Sequence, residues 1–287
     1  MQFQNALMEE YSVTEQPEVW RIGCGVSLHC LSHSVTAGEL DLLGQSMVET
    51  LELSPPMVLG DSELRAGLHE VLANGELRAV TVHAVFGLDK DLSSPEASVR
   101  ATGMAEARRA IDVAAEFGAS MIVLHASSEP VSPEERGEHL CRCRDSLAEV
   151  GRHAAEHDRG VAVELLPRTC LGNTAQELLE LLSDLDPERF GVCLDTNHLM
   201  DRWESLPQVV ARLGDRLWTT HISDYDGVDE KHWRPGQGVV RWSDLLKALC
   251  DIEYRGPFNY ETGLVEGSFS ERLEALQENF RWMVSMT

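Results

Sequence analysis

Basic residues are scarce in this chain. Lysine and arginine together number 24 against 48 aspartates and glutamates, for a formal net charge of −24. A surface that negative repels phosphate backbones, so nonspecific nucleic-acid binding is not expected. Long apolar runs are missing as well. Nothing approaches the roughly 20 consecutive apolar residues of a membrane-spanning helix. The opening residues, MQFQNALMEEY, carry neither a basic start nor an apolar stretch, so no signal peptide is expected and a cytoplasmic location is. Cysteine lacks any regular spacing. Cys24, Cys30, Cys141, Cys143, Cys170, Cys193 and Cys250 are odd in number, which fits reduced thiols better than a disulfide framework. Cys141 and Cys143 lie in a helical pattern, where residues two apart point to nearly opposite sides, so they are not read as a metal pair. No low-complexity linker and no mid-chain break in composition divides the chain. The stretch RPGQG lacks the lysine of a phosphate-binding loop and reads as a turn.

What is present is a repeating alternation. With 287 residues, 43% of them hydrophobic, the chain is long enough for one α/β barrel, a fold of roughly 250 residues. Strand-like runs fall at 21–28, 50–53, 79–83, 121–125, 161–165, 190–194, 217–222 and 258–260. Run 50–53 is short enough to be a helix end instead. Helix starts are marked by Thr36 with Glu39, Ser132 with Glu135 and Thr174 with Glu177, each fitting a capping box. Pro95 and Pro133 fit first helical positions, where a missing donor costs nothing. MAEARRAIDVAAEFG and AQELLELLSDL carry apolar residues at intervals of three and four. Strand, loop and helix in eightfold repetition predict a single (β/α)8 barrel over 19–287. Residues 1–18 are then an N-terminal extension covering the barrel floor or a neighbouring subunit.

Carboxylates and imidazoles sit where these strands end. Glu164 lies inside VAVELLP, Asp195 and His198 in GVCLDTNH, His221 in LWTTHISD and Glu261 in FNYETG. Parallel barrel strands all finish at one rim, so side chains a hundred positions apart meet there. A carboxylate buried in an apolar run is costly unless a cation or hydrogen bonds receive it. Two glutamates, an aspartate and a histidine suit one divalent ion of the Mg, Mn, Co or Zn kind. Taken singly, Glu164 could pair with an arginine and His221 could be a satisfied core histidine; four such coincidences at successive strand ends favour the metal. His83 in VTVHAVFG and His125 in IVLHASS end the third and fourth strands, and DEKHWRPGQG adds Glu230 and His232. His29 and Glu52 face the same cavity as structural or supporting partners. Trp233 reads equally as a wall of a sugar pocket and as a core residue. Arg168 and Arg234 are the cations placed to meet a substrate anion.

These motifs resemble the xylose isomerase-like TIM barrel superfamily, which contains sugar isomerases and epimerases, inosose-type dehydratases and type IV apurinic endonucleases. The resemblance spans nearly the whole chain and is best over 79–263. It implies that Glu164, Asp195, His221 and Glu261 hold one divalent metal. Comparison with its ketose epimerases implies that Glu164 and Glu261 act as acid and base around a metal-stabilised enediolate, with His198 touching substrate oxygens. Comparison with its endonucleases implies that His83, His125, His198, Glu230 and His232 bind additional zinc, for two or three ions in all, whereas comparison with its sugar-active members implies that the same histidines bind substrate hydroxyls. The chain departs from the epimerase pattern at Cys170, where a second substrate-binding glutamate is expected, and at Gly227, where an arginine is. The function this implies is a metal-dependent isomerase or epimerase acting on a small sugar or polyhydroxy carbonyl compound, with a homodimer usual among such proteins. A dehydratase of the inosose or dehydroshikimate type and a multinuclear zinc hydrolase are the alternatives.

Overall fold

The computed structural model describes residues 20–75, 77–264 and 266–287; the proposed extension at 1–18 lies outside them. Eight parallel strands close in sequence order: β1 (Cys24–Ser27), β2 (Thr50–Leu53), β3 (Arg78–His83), β4 (Met121–Leu124), β5 (Gly160–Glu164), β6 (Phe190–Asp195), β7 (Leu217–Ile222) and β8 (Phe258–Tyr260), with β8 pairing back onto β1. The expected strands are all present. The first is shorter than 21–28, β4 ends one residue before His125, and 50–53 is a strand with every residue buried. Strands covered on both faces read as continuous apolar runs, which is why β4 is MIVL and β5 is GVAVE.

Around the barrel lie α1 (Leu28–Leu31), α2 (Ala37–Gly44), α3 (Pro55–Gly60), α4 (Ser62–Ala73), α5 (Ala97–Phe117), α6 (Arg136–Glu156), α7 (Ala175–Leu181), α8 (Leu206–Leu213), α9 (Trp242–Asp251) and α10 (Phe269–Val284). Among the described residues no helix is long and apolar enough to cross a membrane. Thr36 and Glu39 form the full capping box of α2. Thr174 accepts from Glu177 N at α7, but the Glu177 carboxylate turns away to Arg136 and Gly172 N, so that box is half made. Ser132 and Glu135 bond to each other in the turn before α6, which starts at Arg136, three residues later than their spacing predicts. Pro95 and Pro133 precede their helices instead of opening them. Cys141 is exposed and Cys143 buried, on opposite sides of α6, and all seven cysteines are free thiols.

Two register shifts shape the barrel floor. Between Leu51 and Glu52 the pairing skips Val80, and between Val192 and Cys193 it skips Trp218. Both skipped residues join Met121, Val123, Ala162 and Cys193 in the inner apolar cluster. The Trp218 indole lies against Gly160 and Gly191, leaving no room for a Cβ at either. Gly191→Ala therefore forces the ring to move inside a closed barrel. We expect a loss of about 1–3 kcal/mol, read as a lower denaturant midpoint at unchanged slope.

Candidate metal centre

The strand ends bring the charged residues together above that floor. One donor atom from each of Glu164, Asp195, His221 and Glu261 lies within 4.8 Å of the others. Glu164 closes β5, Asp195 closes β6, His221 is the penultimate residue of β7, and Glu261 follows β8 with its N–H donating to Ile222 O at 3.2 Å. Asp195 and His221 are register partners. Glu164, Asp195 and His221 are almost wholly buried, whereas the Glu261 side chain keeps a solvent edge.

His221 is held from both sides. Its Nδ1 lies 3.0 Å from Glu261 Oε2 and 3.4 Å from Glu164 Oε1, and its Nε2 lies 3.0 Å from Glu52 Oε2. Glu52 accepts in turn from Ser27 Oγ at 2.6 Å and Thr81 Oγ1 at 2.9 Å. With Nε2–H donating to the Glu52 carboxylate, the Nδ1 lone pair is left facing the centre, the arrangement by which a carboxylate fixes a ligating imidazole. Glu52 thus supports the centre and does not enter it. Asn259, whose Nδ2 donates to Ser27 Oγ at 2.9 Å, completes that support and was not singled out from sequence; an asparagine in a short strand gives no signal that its partner lies 232 residues away.

The charges sort themselves around the unbalanced cluster. Burial works against a charge on His221, but Glu261, Glu52 and Glu164 outweigh it and raise its pKa. Burial would raise Glu164 as well, yet His125 and His221 bring it well below the ordinary glutamate range. Glu261 is lowered the same way, His221 overcoming burial. Asp195 goes in the other direction. Burial raises it, His198 and His232 offset part of that rise, and Glu164 and Glu261 add to it. Its Oδ1 accepts Asn197 N at 2.6 Å, while its Oδ2 is buried with no hydrogen-bond partner among the described residues. A buried carboxylate oxygen without a hydrogen bond, among other carboxylates, suits a cation ligand.

The remaining predicted residues flank this set. His83 Nε2 and His125 Nε2 both reach Glu164 Oε2, at 3.2 and 3.1 Å. One carboxylate serves two imidazoles, so the pair splits: despite burial, Glu164 pulls His83 up to about 9, whereas burial keeps His125 low. On the opposite side, donor atoms of His198, Glu230 and His232 lie within 4.8 Å of one another. His198 Nε2 is also 3.5 Å from Asp195 Oδ2. All nine predicted metal or substrate positions therefore share one rim. Arg168, Met200 and His232 there adopt positive φ angles, a backbone strain that collects at functional sites.

The two arginines differ. Arg168 is gripped by Glu129, Asp229 and Glu230 at 2.9, 2.8 and 2.7 Å and ties the loops after β5 and β7 together. Arg234 forms no ion pair among the described residues. Asp224, also unanticipated, organises the loop carrying it by accepting from Tyr225 N, Gly236 N, Val240 N and Trp242 Nε1. Phe86, missed too, is 56% exposed and stacks on His125 with centroids 3.9 Å apart; Trp233 is 38% exposed at the same rim. A cavity of about 470 Å³ opens beside the centre, lined by His29, His33, His232, Glu261, Thr262 and Arg272. Cys170 is buried, and burial pushes its thiol up to about 12. Gly227 has φ +79°, and a Cβ there would meet the Trp203 ring at 3.0 Å, so this turn does not suit an arginine.

A closed parallel barrel with a carboxylate–imidazole cluster at the C-terminal rim is the architecture of a (β/α)8 enzyme. The chain belongs to the xylose isomerase-like TIM barrel family, matching it over residues 43–286. It is 27% identical over 203 residues to an L-ribulose 3-epimerase of Methylomonas sp., covering 67% of each chain. It is 25% identical over 239 residues to a probable endonuclease 4 of Thermoplasma acidophilum, covering 77% of this chain and 79% of that one. Among solved structures, a D-tagatose 3-epimerase-like protein superposes with a TM-score of 0.77 at 23% identity, over 91% of this chain and 98% of the other.

Proposed function

We propose that this enzyme is a divalent-metal-dependent isomerase or epimerase of a small sugar or related polyhydroxy carbonyl compound, working in the reduced cytosol. The observation that carries the reading is the convergence of Glu164, Asp195, His221 and Glu261 around the unpaired Asp195 Oδ2. These four would hold one ion of the Mn, Mg, Co or Zn class. The ion, when bound, supplies a positive charge beside a carbonyl and its neighbouring hydroxyl, which acidifies the C–H between them. Held ionised by His221, Glu261 or Glu164 would take that proton as base; for isomerisation the same carboxylate returns it to the neighbouring carbon, and for epimerisation the opposite carboxylate must enter the cycle carrying the proton it delivers. His198, its Nδ1 donating to Leu165 O at 2.9 Å, keeps Nε2 toward the centre for a substrate hydroxyl. Phe86 and Trp233 offer apolar faces of the kind sugar rings stack on. The epimerase names borne by several relatives support this class.

A multinuclear zinc hydrolase is the second reading, favoured by the His83–His125–Glu164 and His198–Glu230–His232 groups beside the central one. The net charge of −24 weighs against a nucleic-acid substrate. Incubation with candidate ketoses in deuterated water separates the readings. We expect deuterium at carbon, without loss of water, and dependence on one centrally bound ion. A new chromophore instead of exchange indicates a dehydratase. No exchange together with zinc-dependent phosphodiester cleavage overturns the proposal in favour of the hydrolase.

A further inference from the structure

Far from the rim, the outer faces of α5 and α6 meet along a charged seam. Arg108 pairs with Glu149. One turn further on, Asp112 Oδ1 lies 3.0 Å from His153 Nε2 and 3.6 Å from His157 Nε2. The two histidine rings are 4.6 Å apart at 55°. Glu156 Oε2 stands 3.6 Å from His153 Nδ1. Donor atoms of Asp112, His153 and His157 all fall within 4.8 Å of one another. Since α6 ends at Glu156 and β5 begins at Gly160, this cluster sits by the barrel floor, on the face opposite the catalytic rim.

We propose that Asp112, His153 and His157 form a second metal site, independent of the centre, for a borderline transition cation of the zinc, nickel or copper(II) type. Histidines four apart on a helix share one face, so one ion reaches both without backbone change. Two imidazoles with one carboxylate suit such ions and not Mg or Ca, which take oxygen ligands. The pair also occupies the last turn and C-cap of a 21-residue helix, where unsatisfied carbonyls favour positive charge. Among the described residues, the ion-pair partners of Asp112 are these histidines and no lysine or arginine. With the Asp112 side chain 60% exposed, an ion enters from solvent and keeps water in its remaining positions. The bound ion clips α5 to α6 and binds only to the folded chain, so it stabilises the fold as its concentration rises.

The test counts zinc per chain by equilibrium dialysis for the full-length protein and for H153A/H157A, with thermal unfolding of both in zinc and in magnesium. We expect the double variant to retain one fewer zinc equivalent, to lose part of the zinc-induced rise in Tm, and to match the parent in magnesium. Both side chains lie at the surface, and far-UV circular dichroism checks that the variant folds; D112N repeats the count without touching the helix end. The count is a difference between proteins with the same central residues, so its failure is separate from failure of the proposed catalytic site. Equal zinc counts and equal Tm shifts in the parent and both variants would overturn the proposal.

Discussion

Glu261→Gln is expected to stop turnover at saturating metal while leaving the fold unchanged. The substitution keeps size and shape but removes the charge and the basicity, which are what proton transfer at carbon requires. Loss of a positioned acid–base group costs roughly 10²–10⁴ in rate, and here the same carboxylate also neutralises the ion, so the upper part of that range applies. The fold is kept, because Glu261 follows the last strand, although the metal-free chain loses near neutral pH the stability of the Glu261–His221 pairing. The measurement is kcat on the ketose identified by deuterium exchange, with metal content determined on the same samples. A variant that binds its metal and still turns over within a fewfold of the parent removes Glu261 from the mechanism.

Much of this was legible in the sequence because parallel barrels write their sites plainly. Most strands are short, fully buried runs, and a charge inside such a run, as with Glu164 in VAVELL, has to be explained by its surroundings. What stayed hidden depends on distance and on competition. Glu52 and His221 meet across 169 positions, and nothing local to TLEL says that its carboxylate fixes a histidine tautomer on another strand. Thr174 and Glu177 have capping-box spacing, but Arg136 on the preceding helix outbids the N-cap backbone for the carboxylate. Arg168 looks from sequence like a cation waiting for a substrate anion; folding brings three carboxylates onto it. Nothing local to LWTTHISD announces the register shift that turns the Trp218 indole into the barrel. The gaps therefore concentrate where long-range pairing overrides local pattern.

Asp195→Asn should separate stability from metal binding. In the metal-free chain this residue buries an acceptor oxygen without a donor, in a cavity where Glu164 and Glu261 add negative charge. Asparagine keeps the Oδ1 that receives Asn197 N and puts an amide in place of the orphan oxygen, 3.5 Å from His198 Nε2. Relieving an unsatisfied buried polar group is worth about 1–3 kcal/mol, so with chelator present the variant is expected to be the more stable protein near neutral pH. The sign of the pH dependence follows from the raised pKa of Asp195. The folded state holds this proton more tightly than the unfolded chain does. Its contribution is fully present below the ordinary aspartate pKa of about 3.9 and is lost as pH rises through the raised folded value. The stability gap between variant and parent should accordingly be small in acid and widen toward neutrality. With metal added the order reverses. Losing a direct ligand weakens binding by more than the roughly 10–100-fold that loss of a supporting partner costs, so only the parent gains from manganese or zinc at the centre. Urea unfolding of both proteins, with chelator and with metal, across that pH range tests each part. A variant less stable than the parent in chelator at neutral pH would mean that Asp195 supports the empty fold, and the argument that its unpaired oxygen awaits a cation would fail.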